Sequence, residues 1–100
     1  MHIYEVINES GEVFAFEINN TLLSRKKVIQ IIEELPGVTV VSKPQDFVFD
    51  NESEFCQFEY EGDTFIIEEP WDDSSRYWIG PKPIKFTPNI NSIMNHFRDR

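Results

Sequence analysis

Residues 54–69 read Glu54-Phe55-Cys56-Gln57-Phe58-Glu59-Tyr60-Glu61-Gly62-Asp63-Thr64-Phe65-Ile66-Ile67-Glu68-Glu69, and this stretch decides the fold. Aromatic and β-branched residues sit on both sides of Glu61-Gly62-Asp63, the pattern of two strands joined by a tight turn. On the first arm, 54–60, side chains alternate between faces, so Cys56, Phe58 and Tyr60 share one and Gln57 and Glu59 the other. The apolar face is expected to be the core side. The second arm, 64–69, carries Phe65-Ile66-Ile67 in succession, which places it in or near the middle of a sheet.

Upstream, residues 2–7 and 12–18 flank the turn Asn8-Glu9-Ser10-Gly11 and read as a second hairpin, with Phe14, Phe16 and Ile18 on one, core-facing side. The spacing of Val28, Ile31, Ile32 and Leu35 predicts a helix over about 25–35. Ser24 can cap it, Leu23 and Val28 are placed as its staple, and Pro36-Gly37 ends it. A short strand follows at 38–41, then a polar loop, 43–53, with Phe47-Val48-Phe49 as a brief edge strand. Downstream, 70–86 contains Pro70, Pro81 and Pro83 and reads as a long connection without a regular element. The last element is a helix over about 88–98, capped by Thr87 with Pro88 in its first position. Its apolar face is Ile90, Ile93, Met94 and Phe97, and Arg98 and Arg100 suit its negative end.

The expected order is β-β-α-β-β-β-α. Hairpins with helices to one side make an α+β, two-layer domain: a mainly antiparallel sheet with two helices. A chain of 100 residues with 40% apolar content is the size of a single domain and can bury a real core.

A net charge of −9 disfavours nucleic acid and anionic membranes, both of which need clustered Lys and Arg. No apolar run is long enough to span a bilayer, and the first residues lack the basic and apolar regions of a secretory signal. The lone Cys56 supports no internal disulfide. A cytoplasmic location is the resulting expectation.

The charge is unevenly placed. Between Lys43 and Arg76 there are eleven acidic residues and no base: Asp46, Asp50, Glu52, Glu54, Glu59, Glu61, Asp63, Glu68, Glu69, Asp72 and Asp73. Like charges without counter-ions repel, and a fold that keeps them invites a cationic partner. Arg25, Lys26 and Lys27 sit at the positive end of the first helix. They fit either a solvated face or pairing with the acidic segment, or else a small anion site.

The densest chemistry lies at Glu68-Glu69-Pro70-Trp71-Asp72-Asp73-Ser74-Ser75-Arg76-Tyr77-Trp78. Aromatic residues anchor interfaces and flanking charges choose the partner. Glu68, Glu69, Trp71, Asp72, Asp73, Tyr77 and Trp78 are therefore candidate partner-binding residues, with Glu59, Glu61 and Asp63 extending the surface. The competing reading makes the aromatics a lid on the core and the Asp pair a turn.

No metal or other cofactor is expected, since no calcium-loop spacing occurs and His2, Cys56 and His96 form no ligand-spaced set. No catalytic residue stands out. Cys56 lies on a core face as an inert thiol, His96 is solvated or satisfied by a helix dipole, and Glu59 and Glu61, expected on the same strand face, could do acid–base work but are explained more simply as charges on an outer sheet face.

The segment Gly62-Asp63-Thr64-Phe65-Ile66-Ile67-Glu68-Glu69-Pro70-Trp71-Asp72-Asp73-Ser74-Ser75-Arg76-Tyr77-Trp78-Ile79-Gly80-Pro81 resembles a group of small, uncharacterised bacterial proteins. In size, acidity and α+β pattern the chain is also similar to immunity proteins, which neutralise basic nuclease or other toxins. The second likeness implies a non-catalytic toxin inhibitor acting by protein–protein interaction, monomeric when free. The alternatives are a self-associating structural or regulatory domain and a small metal-dependent enzyme using the acidic loop 68–73.

Overall fold

A computed structural model describes residues 1–42, 53–70 and 75–100. The elements run β1 (Tyr4–Ile7), β2 (Val13–Asn19), α1 (Arg25–Glu33), β3 (Val38–Ser42), β4 (Glu54–Tyr60), β5 (Asp63–Glu68), β6 (Arg76–Pro81) and α2 (Asn89–Arg98). The strands form one antiparallel sheet in the spatial order β1-β2-β6-β5-β4-β3. From β2 the chain crosses through α1 to β3 at the far edge. It then meanders back until β6 fills the place beside β2. The α+β class with two helices is as expected, and β6 is an added strand.

The β4–β5 hairpin turns through Glu61 and Gly62, both with positive φ (51° and 84°). Two-residue turns of that hand match the right-handed twist of the strands they join. Tyr60 pairs with Asp63 across it, and Phe58 with Phe65. Glu61 is thus a turn residue and does not share a strand face with Glu59. β5 is central, flanked by β4 and β6, as its unbroken apolar run predicts.

Residues 70–86 do contain a strand. Tyr77-Trp78-Ile79 are strong strand formers, but the flanking prolines mask them. Pro81 is accommodated because it is the last residue of β6 and lies past the final β2 pairing, Phe16 with Ile79, so its missing N–H costs no ladder bond on that side. Lys82 then donates its N–H to Thr64 O at 2.9 Å.

One bulge overturns a second expectation. Val6 pairs with Ala15 and Ile7 with Val13, leaving Phe14 as the extra residue in β2. An extra residue shifts the alternation of faces by one. Phe16 and Ile18 point into the core as expected, whereas Phe14 lies on the opposite face, its ring centroid 6.5 Å from that of Trp78.

Ser24 caps α1, its side chain accepting from Lys27 N–H at 3.0 Å. The turn after α1 closes with Val38 N–H on Leu35 O across Pro36-Gly37. At α2, Thr87 acts as the cap: its hydroxyl accepts from Asn89 N–H at 3.3 Å and Pro88 already has helical dihedrals. Both helices lie on one face of the sheet. Val28, Ile31 and Ile32 from α1 and Ile90, Ile93 and Phe97 from α2 form one apolar cluster with Phe16, Cys56, Phe58, Phe65, Ile67 and Ile79. Phe47-Val48-Phe49 lies outside the described residues.

Candidate functional site: the open face of the sheet

No described element covers the face opposite the helices, and the strand registers set its contents. One row across it runs Tyr4, Glu17, Trp78, Glu68, Glu54, each directly opposite the next on neighbouring strands. Side chains in such a row contact one another. The next row brings Gly80 opposite Ile66. The indole of Trp78 lies over Gly80, filling the space where a side chain would stand, and Ala15 closes in from β2.

Around the indole, Phe14, Ile66, Glu68, Trp78, Pro81, Lys82, Pro83 and Ile84 line a groove of about 480 Å³. Its walls are mostly apolar, and Ile84 at the rim is 72% exposed. Glu68 is the carboxylate inside it. Burial first, and then the neighbouring Glu54 charge, push its pKa above the ordinary carboxylate value. Lys82 Nζ is held 3.0 Å from Glu54 Oε1, so this ammonium is engaged by the other acid. Arg76 pairs with Glu17 at 3.2 Å and places its guanidinium carbon 3.6 Å from the Tyr4 ring centroid. No Lys or Arg among the described residues lies within ion-pair distance of Glu68.

The remaining candidates do not gather in this one place. Glu59 lies on β4 opposite Thr64, exposed, and Glu61 is at the hairpin turn. Asp63 is turned inward. It accepts from the Thr87 hydroxyl at 2.5 Å and Asn89 Nδ2 at 2.8 Å and pairs with Lys85 at 3.1 Å. Those hydrogen bonds, Thr87 first, hold its pKa below the ordinary value. Glu69 accepts from Arg25 Nε and Nη2 at 3.1 and 2.9 Å and from Asn20 Nδ2 at 3.1 Å. Tyr77, expected to face a partner, is 3% exposed; its ring meets Phe55 and its hydroxyl donates to Leu23 O at 2.7 Å. Trp71, Asp72 and Asp73 lie outside the described residues.

The expectation of a wholly uncompensated acidic face is therefore corrected. Glu54, Asp63 and Glu69 are matched by Lys82, Lys85 and Arg25, bases contributed by segments outside the acidic stretch. Arg25 joins the acidic segment and does not build an anion site; its guanidinium also stacks 4.7 Å from the Phe55 ring centroid. Sequence reasoning did not find Phe14, Ile66, Lys82 and Ile84 as site residues. Only the exposed, apolar Ile84 between two lysines carried a local signal.

Glu68 and Glu69 serve opposite sides of the sheet, one in the groove and one on Arg25, so they do not converge on a shared ligand. Among the described residues no three His, Cys, Asp or Glu side chains gather as a metal-binding group. Cys56 is buried, and His96 Nε2 donates to Ile31 O at 2.6 Å, satisfying a carbonyl at the end of α1. Among the described residues no helix is long and apolar enough to cross a membrane. Comparison with protein-family models, curated proteins and solved structures returned no match to this chain.

Proposed function

We propose that this chain is a non-catalytic acidic binding protein that occludes a cationic protein partner, and specifically an immunity protein blocking a nuclease-like toxin domain. The observation that carries the reading is Glu68 beside Trp78 on the open face, a carboxylate in a mostly apolar groove with no described Lys or Arg at ion-pair distance, since Lys82 in the same groove is engaged by Glu54. A half-buried aromatic beside a partly desolvated charge is the kind of pair that anchors an interface. Glu59 and Glu61 and the net charge of −9 supply a field that steers a basic surface toward it. Nuclease domains present such surfaces because they bind phosphate.

The test is the association rate between the purified chain and a basic toxin-type protein encoded beside it, measured over a range of salt. Association should slow as salt rises, and Glu68→Lys should slow it by about tenfold or more. A neighbouring frame without a cationic product, or a rate indifferent to both changes, defeats the reading.

A second reading, self-pairing, draws on the sheet's two edges, where Ile7 on β1 is 59% and Val41 on β3 is 50% exposed. Sedimentation separates the two: a dimer at micromolar concentration favours self-pairing, and a monomer favours the binder.

A further inference from the structure

The described residues contain two arrangements in which an arginine lies over an aromatic ring and pairs with a carboxylate: Arg25 with Phe55 and Glu69, and Arg76 with Tyr4 and Glu17. The second is on the open face, and its Glu17 stands directly opposite Trp78. Trp78 and Glu68 are a third ring–carboxylate pair, directly opposed across β6 and β5. No arginine of this chain serves it. The sequence has four, and the other two, Arg98 and Arg100, pair with Glu5 and Glu34. Among the described residues the local charge is also unbalanced: Glu54 and Glu68 stand opposite one another, and Lys82, the one described base lining the groove, pairs with Glu54 and not with Glu68.

We infer that the groove receives an arginine side chain of the protein partner, its guanidinium stacked on the Trp78 indole and hydrogen-bonded to the Glu68 carboxylate. Guanidinium suits the site better than ammonium. It is planar, so it can lie on an indole while its edge meets a carboxylate, and its weaker hydration lowers the cost of entering a partly dry groove. The three methylenes of the arginine stem find apolar surface on Phe14, Ile66, Pro81 and Pro83. The inference rests on the binding reading given above and names the partner group that the groove recognises.

The experiment needs no partner protein. In a Trp71→Phe background, where Trp78 is the sole tryptophan, N-acetyl-argininamide, N-acetyl-lysinamide and N-acetyl-leucinamide are titrated against indole fluorescence and amide resonances. The arginine probe should saturate at millimolar concentration, moving the Trp78 indole N–H and residues 66–68 and 80–84. It should bind about fivefold tighter than the lysine probe. Glu68→Gln, which keeps the shape of the side chain, should weaken it about tenfold. The inference is overturned if the arginine probe does not saturate, if Glu68→Gln leaves its binding unchanged, if lysine or leucine binds as well, or if the shifts fall elsewhere. Saturable arginine binding combined with failure to associate with any basic toxin-type protein would sink the immunity reading alone. Partner association that is still salt-dependent and still slowed by Glu68→Lys, with no arginine binding, would sink only the present inference.

Discussion

The Trp78 indole rests on Gly80: a Cβ built on that glycine would stand 2.8 Å from indole Cζ2 and 2.8 Å from the Ala15 side chain. Both approaches are inside normal contact distance, so glycine is required there by close approach of its neighbours. The indole thereby lies close against the sheet at Gly80, beside Glu68, and the groove wall depends on this one absent side chain. Gly80→Ala should cost about 1–3 kcal/mol, the usual range for overpacking a filled site. It should also lift Trp78 and red-shift its emission. Denaturant unfolding with fluorescence detection reads both, and an unchanged emission maximum would contradict the contact.

Glu68 and Glu54 stand directly opposite one another on β5 and β4. Like charges in that relation destabilise a sheet by about 0.2–1 kcal/mol. Glu68→Gln should therefore stabilise the chain by a few tenths of a kcal/mol at pH 7. A carboxyl whose folded pKa is raised holds its proton more tightly when folded. Its cost is thus complete above the folded pKa and disappears as pH falls through the ordinary value of 4.5. Melting curves of parent and variant should converge at low pH. A variant less stable than the parent at pH 7 would refute the assignment.

Asp63 has the opposite sign. Its folded pKa is depressed by Thr87, Lys85 and Asn89, so its contribution is fully present above the ordinary 3.8 and is lost as pH falls through the lower folded value. Asp63→Asn should cost about 1–2 kcal/mol at neutral pH, in line with hydrogen bonds to a charged group. The difference should narrow as pH falls below the ordinary 3.8 and through the lower folded value, in acid unfolding monitored by circular dichroism. A constant gap across that range would mean the charge is not what Thr87 and Asn89 recognise.

Tyr77 packs under α1's approach, with its hydroxyl on Leu23 O. Removing one hydrogen bond and leaving a carbonyl unmatched costs about 1 kcal/mol, so Tyr77→Phe should lower stability by that amount. Association with a basic partner should be untouched by the change. If Tyr77→Phe weakens binding while stability is preserved, the residue faces the partner after all. Burial, and then the Glu69 charge, also raise the Tyr77 pKa, so its phenolate should appear above the range of free tyrosine in an ultraviolet titration.

Much of the frame was legible because local chemistry specifies it. The turn at Glu61-Gly62, the cap at Ser24, the helical spacing of Val28, Ile31 and Ile32, and the buried run of β5 each depend on residues near in sequence. β6 was missed for the same reason in reverse. Its Tyr-Trp-Ile core is short, and its strand state is stabilised by β2 and β5, whose partners are Phe16 and Ile67. The site was harder still. The acidic stretch has no base of its own, yet Arg25 lies 44 residues from Glu69 and Lys82 lies 28 from Glu54.

By itself the sequence determined an antiparallel α+β domain with its hairpins, helix ends and negative charge, since periodicity, turn residues and composition act over a few neighbouring positions. Tertiary structure alone decided that Phe14 would leave the core face, that three acids would be matched from distant segments, and that Glu68 would remain beside Trp78. A bulge inverts every side chain on one side of it, and charge pairing depends on proximity in space. Neither is written in the order of residues along the chain.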